Sequence, residues 1–122
     1  MERLIPLLSR TASEIATLEG EAKKLLYEIG DQQGYYLCLR QKAILLSGLV
    51  DAVTELGPLP PKLNALVQER IGGFSFEADR ALRLDSVFYM SVLLCPEDHQ
   101  EGGANELETF VNSLTALLQT NG

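Results

Sequence analysis

From Leu4 to Ile29, apolar or small residues recur at alternating three- and four-residue steps: Leu4, Leu8, Thr11, Ile15, Leu18, Ala22, Leu25 and Ile29. A stripe of that period runs along one side of a helix. It does not fit a strand, whose faces alternate every second residue. Glu14, Glu21, Lys24 and Glu28 fall mostly off the stripe, as in an amphipathic helix. Thr11 and Glu14 have capping-box spacing, which predicts that the regular helix starts there, with Leu4–Leu8 as a preceding turn. Glu19 and Lys23 stand in the favourable i,i+4 order.

The stripe meets Gly30-Asp31-Gln32-Gln33-Gly34 and then resumes in phase through Tyr36, Leu39, Ala43, Leu46, Val50 and Val53. Two readings follow, a helical hairpin or one rod of some fifty residues. Glycine costs about 1 kcal/mol inside a helix, and two within five residues favour the hairpin. Gly30 suits the position just past a helix end, and Asp31 suits the cap of the next helix. That second helix, near Tyr35 to Leu56, has no charged residue between Lys42 and Asp51. A helix apolar on more than one side belongs in the middle of a bundle or inside an interface.

Gly57-Pro58-Leu59-Pro60-Pro61 ends this helix, because proline lacks the N–H that a helix interior needs but is tolerated in a first turn. A third helical region runs from about Pro61 to Leu94, carried by Leu63, Val67, Ile71, Phe74, Ala78, Leu82, Phe88, Tyr89 and Val92. Gly72-Gly73 predicts a kink or a split within it. Asp85 lies near the apolar stripe, either as a buried polar group or at its edge. Pro96 ends the region, and Glu97–Ala104 reads as an acidic loop. Asn105 and Glu108 form a second capping-box pair. Leu107, Phe110, Val111, Leu114, Leu117 and Leu118 then make a short amphipathic helix. No run alternates with period two. The expectation is an all-α antiparallel bundle of four helices, or five if the double glycine breaks the third, in one domain spanning 1–122.

Composition bounds the function. The 122 residues are 46% hydrophobic and 22% charged, within the range of folded domains. The net charge is −7, with 17 acidic against 10 basic residues and no basic cluster, which argues against nucleic-acid binding and against an anionic membrane surface. The longest apolar runs, Ala43–Val50 and Ser86–Cys95, are too short to span a bilayer, and no signal peptide is evident; the expected location is cytoplasmic. Cys38 and Cys95 lie in apolar stretches without metal-ligand spacing and read as free, buried thiols.

A reactive constellation does not emerge. His99 is the single histidine, set among Glu97, Asp98 and Glu101 in the acidic loop, where adjacent side chains converge poorly on one ion. No glycine-rich loop leads into Lys-Ser/Thr. The enzymatic alternative is a Mg²⁺-dependent helical nucleotide pyrophosphohydrolase, with Glu28 and Asp31 at i,i+3 spacing and Glu77 and Asp79 as carboxylates, but no Glu-x-x-Glu pair accompanies them. Tyr35-Tyr36 and Phe88-Tyr89 lack the basic neighbours of a base-stacking platform. The expectation is therefore a non-enzymatic binding protein, with no catalytic, metal or cofactor residues. Its partner-binding candidates are Leu107, Phe110, Val111, Leu114, Leu117 and Leu118, which supply the i/i+3/i+4/i+7 anchors of helix-in-groove recognition. The same face equally suits a helix that completes the bundle. A homo-oligomeric structural subunit, with the second helix as its seam, is the alternative without a client.

Leu25-Leu26-Tyr27-Glu28 leading to Asp31, followed by Leu39, Gln41-Lys42-Ala43, Leu45-Leu46 and Leu49, resembles the flagellar and type III export chaperones of the FlgN and FliT kind. The resemblance covers roughly residues 4 to 56, and Arg80-Ala81-Leu82-Arg83-Leu84-Asp85 is faintly similar to that family's third helix. Gly57–Pro61 and Gly72-Gly73 depart from the pattern. The resemblance implies an α-helical chaperone that holds an apolar segment of an export substrate, with client binding near the C-terminal end.

Overall fold

Apolar stripes pack against apolar stripes in the computed structural model, which describes residues 3–95 and 104–120. Helix α1 spans Leu4–Lys24 and runs on into a π-helical turn, Leu25–Ile29; α2 spans Gln32–Ser47 and α3 Leu49–Glu55. Helix α4 spans Pro61–Leu84, α5 Val87–Val92 and α6 Glu106–Thr120. The described residues contain no strand, so the fold is an all-α bundle.

The first two helices form the hairpin. Gly30 takes φ 76°, a left-handed conformation that costs glycine nothing, and the N–H groups of Gly30 and Asp31 both donate to the Leu25 carbonyl, closing the widened turn. Asp31 then caps α2 by accepting from the Gly34 N–H at 2.9 Å. Gly34 has its own reason: a Cβ there would stand 2.5 Å from Asp31 Oδ2 and 3.0 Å from Leu25 Cδ1. The two glycines that interrupt the stripe thus build the corner.

Helix α1 begins at Leu4, earlier than the Thr11–Glu14 spacing predicts. Thr11 is a mid-helix residue whose hydroxyl donates to the Leu7 carbonyl at 2.9 Å. Burial of Leu4 and Leu8 in the core recruits the first two turns into the helix.

Helix α2 is central, packed on α1, α4 and α5, as its apolar character predicts. It ends at Ser47, and Gly48 redirects the chain into α3. The elbow leaves two backbone groups without helical partners, and the buried Ser75 hydroxyl on α4 serves both. It donates to the Leu46 carbonyl at 2.7 Å and accepts from the Val50 N–H at 3.1 Å.

Pro60 stands at the cap of α4 and Pro61 inside its first turn, as the sequence indicates. The double glycine neither kinks nor splits this helix; α4 runs unbroken from Pro61 to Leu84. Ile71, Phe74 and Ser75 flank the glycines and are buried, and their packing outweighs a helix-propensity cost of about 2 kcal/mol for the pair. The break comes instead at Asp85, which adopts φ 49°, a conformation that aspartate tolerates better than most residues. Asp85 is exposed, accepts a hydrogen bond from the Tyr36 hydroxyl and lies 3.9 Å from the Arg40 guanidinium. Ser86 caps α5 by accepting from the Tyr89 N–H at 3.2 Å.

Helix α6 begins with the predicted capping box in both directions. The Glu108 N–H donates to Asn105 Oδ1 at 2.8 Å, and the Asn105 N–H donates to Glu108 Oε1 at 3.2 Å. Its start is tied to the end of α5 by the Glu106 N–H donating to the Leu94 carbonyl at 2.9 Å. It packs on α1. Among the described residues no helix is long and apolar enough to cross a membrane.

Candidate interaction surfaces

The anticipated partner-binding residues divide sharply by burial. Leu107, Phe110, Val111 and Leu114 lie in the core, and Leu118 packs at its edge, all on the side of α6 that faces the bundle. Leu117 is exposed. The amphipathic face of α6 is therefore occupied by the chain's own α1, and the structure does not present it as an open surface.

Exposed apolar side chains lie elsewhere: Tyr27 and Ile29 at the α1–α2 corner, Phe76 on α4, and a group around α5. On α5 and the adjoining end of α4, Phe88 is 68% exposed, and Leu84, Tyr89 and Val92 are also exposed. The six residues of α5 explain this. With Met90 buried and Val87 packed at the core's edge, so short a helix can turn only one face inward, and Phe88, Tyr89 and Val92 are left exposed. The Phe88 and Tyr89 rings meet at 5.8 Å with a 60° tilt, and the Arg80 guanidinium lies over the Tyr89 ring at 5.9 Å. A shallow cleft beside them is lined by Glu77, Arg80, Ala81, Tyr89, Val92 and Leu93. Such an arrangement can bury aliphatic or aromatic side chains of a visitor while Glu77 and Arg80 supply polar contacts at its rim. Phe88 and Tyr89 are visible in the sequence; their exposure is not, because helical spacing assigns them to the core.

A buried polar cluster lies on the other side of α5. Lys42 is fully buried on α2, donates to the Ser91 carbonyl at 3.3 Å and faces Glu19 Oε1 of α1 at 3.8 Å. Burial pulls the Lys42 ammonium below its usual pKa, and the Glu19 carboxylate works against that shift. The Cys95 thiol donates weakly to the same Ser91 carbonyl at 3.6 Å. Lys42 thereby joins α1, α2 and the last turn of α5, where a positive charge also complements the helix C-terminal end. Nothing in the local sequence marks Lys42 as buried.

The thiols and carboxylates stand apart. Cys38 and Cys95 are free and half-buried, and burial pushes both thiols up in pKa, away from the nucleophilic thiolate. Glu28 is exposed in the π-helical turn, Asp31 is engaged as a helix cap, and Asp79 pairs with Arg83 at 2.6 Å. Among the described residues no three His, Cys, Asp or Glu side chains are placed to hold a metal ion. His99 and its acidic neighbours Glu97, Asp98 and Glu101 lie outside the described residues.

Compared with protein-family models, curated proteins and solved structures, the chain gives no match.

Proposed function

We propose that this chain is a non-enzymatic helical binding protein that holds an apolar helix of a protein partner on the surface formed by α5 and the end of α4. The observation that carries this reading is the exposure of Phe88, Tyr89, Val92 and Leu84 on α5 and the end of α4, with Tyr89 and Val92 lining an open cleft. Aromatic side chains anchor interfaces because each removes a large rigid area from water at low entropic cost. At about 25 cal/mol per Å² of apolar area, covering this patch supplies several kcal/mol before ordering costs. An amphipathic helix is the fitting occupant, since its i, i+3 and i+4 side chains match a cleft running between two helices. The likeness of residues 4–56 to export chaperones supports the finer reading, a cytoplasmic chaperone or adaptor for an export substrate.

The test is affinity purification from the native cell of wild type beside Phe88→Asp and Val92→Asp, with mass spectrometry of retained proteins. A specific protein held by wild type and lost from both variants, at unchanged thermal stability, is the expected result. Retention of the same proteins by all three overturns the assignment of this surface. Phe110→Asp and Leu114→Asp belong to a different class: both bury a charge in the core, and loss of helicity is expected from each.

A further inference from the structure

A second surface, meeting the α5 patch at Arg80, lies along the outer side of α4. Leu66, Glu69, Gly73, Phe76, Arg80 and Arg83 are all exposed and follow one another at alternating three- and four-residue steps. Among the described residues no element covers this face, yet it carries Phe76 at 69% exposure in the middle of a long helix. Its neighbour Gly73 lowers helix propensity, and a Cβ at that position would meet nothing within 4 Å. An exposed phenylalanine and a helix-weakening glycine one turn apart, neither used by the chain's own packing, call for an occupant. The sequence of the face itself says which.

We propose that the occupant is a second copy of this chain, the two α4 helices packing antiparallel about a two-fold axis between Phe74 and Ser75. A two-fold contact is self-complementary: if one residue meets another, the reverse contact is made as well. About that axis, Phe76 of each copy lies over Gly73 of the other, a large side chain above a position without one. Glu69 stands opposite Arg80, twice, so acid meets base at both ends of the aromatic centre. Further out, Leu66 of each copy stands opposite Arg83 of the other, both exposed in the single chain. The spacing is that of an antiparallel coiled-coil seam, in which the two alternating core positions of one helix face each other across the pair. Arg80 is already steadied by the Tyr89 ring and Arg83 by Asp79, so few side-chain rotamers are lost on pairing. The parallel alternative sets Glu69 against Glu69 and Arg80 against Arg80, and like charges disfavour it.

Sedimentation equilibrium of the full chain, with variants at exposed positions, tests this directly. Wild type is expected at twice the 13.4 kDa chain mass at concentrations of about 0.1 mM. Phe76→Glu, Glu69→Arg and Arg80→Glu are each expected to raise the dimer Kd by about tenfold or more, with unchanged thermal unfolding of the monomer. The decisive arm mixes two of them. Glu69→Arg and Arg80→Glu chains each repel themselves, but together they restore both acid–base contacts, and the mixture is expected to dimerise. A wild type that stays monomeric overturns the proposal. So does a dimer indifferent to Phe76→Glu, or a mixture that shows no rescue. Because Phe88 and Val92 lie off this seam, Phe88→Asp separates the outcome from failure of the client surface: it leaves the dimer intact.

Discussion

The α1–α2 corner and the middle of α4 each contain two glycines, and the glycines do opposite things. At the corner, Gly30 is required by a positive φ and Gly34 by the approach of the Asp31 and Leu25 side chains. Each has a cause within the chain, and together they reverse its direction. In α4, Gly72 and Gly73 lie in ordinary helix with open space where a Cβ would stand. They cost helix propensity and gain nothing inside the monomer. The contrast teaches that a glycine pair in a helical sequence is a turn signal only when a left-handed residue and a cap accompany it. Without them, tertiary burial of the flanking residues carries the helix through.

The largest expected effect comes from breaking the corner. Gly34→Val forces the new side chain into Asp31 and Leu25, and should lower unfolding free energy by about 3 kcal/mol in urea titration, through overpacking and loss of the cap. Next is the elbow between α2 and α3. Ser75→Ala leaves the Leu46 carbonyl and the Val50 N–H unpaired in the interior, and should cost about 2 kcal/mol by the same measurement. The other side of the comparison is sharpened by Gly73→Ala, which should raise monomer stability by about 1 kcal/mol, visible as a higher melting temperature. A loss of stability there would show that the α4 glycine is as structurally required as its counterpart at the corner.

The smallest effect is a slope. The Lys42 pKa is lowered in the folded protein from its ordinary 10.5, so over the interval just below 10.5 the unfolded chain binds more protons than the folded one. Stability from this group accordingly rises as pH climbs through that interval, and is at its least where Lys42 is charged in both states. Lys42→Met removes the gain. Urea titrations at a series of alkaline pH values should show a flatter dependence in the variant than in wild type, and an unchanged slope would place the proton elsewhere.

Much of the fold is legible in the chain because helix signals are local. Asp31 and Gly34, Pro60 and Pro61, and Asn105 with Glu108 each announce a boundary within four residues, and each boundary is where it is expected. The misplaced features are those decided at a distance. Whether Thr11 caps a helix or rides within it depends on Leu4 and Leu8 finding a core. Whether Gly72-Gly73 breaks α4 depends on what Ile71 and Phe74 pack against. Burial of the candidate surfaces was legible least of all. The α6 stripe and the α5 aromatics have the same spacing, but α6 lies along α1 with its apolar face covered, whereas α5 is too short to bury more than one face. Periodicity reports that a face is apolar; the length and placement of the element decide whether that face meets the chain itself or something else.

The Ser75 hydroxyl also implies an order of assembly. Seven residues are too few for α3 to hold its own turns in water, and the Val50 N–H in its first turn donates to Ser75 on α4. The α1–α2 hairpin needs only neighbours in sequence, so it is free to nucleate early. The elbow draws on a chain segment some twenty-five positions further on, so α3 is expected to be completed late in folding, by docking rather than by propagation from α2.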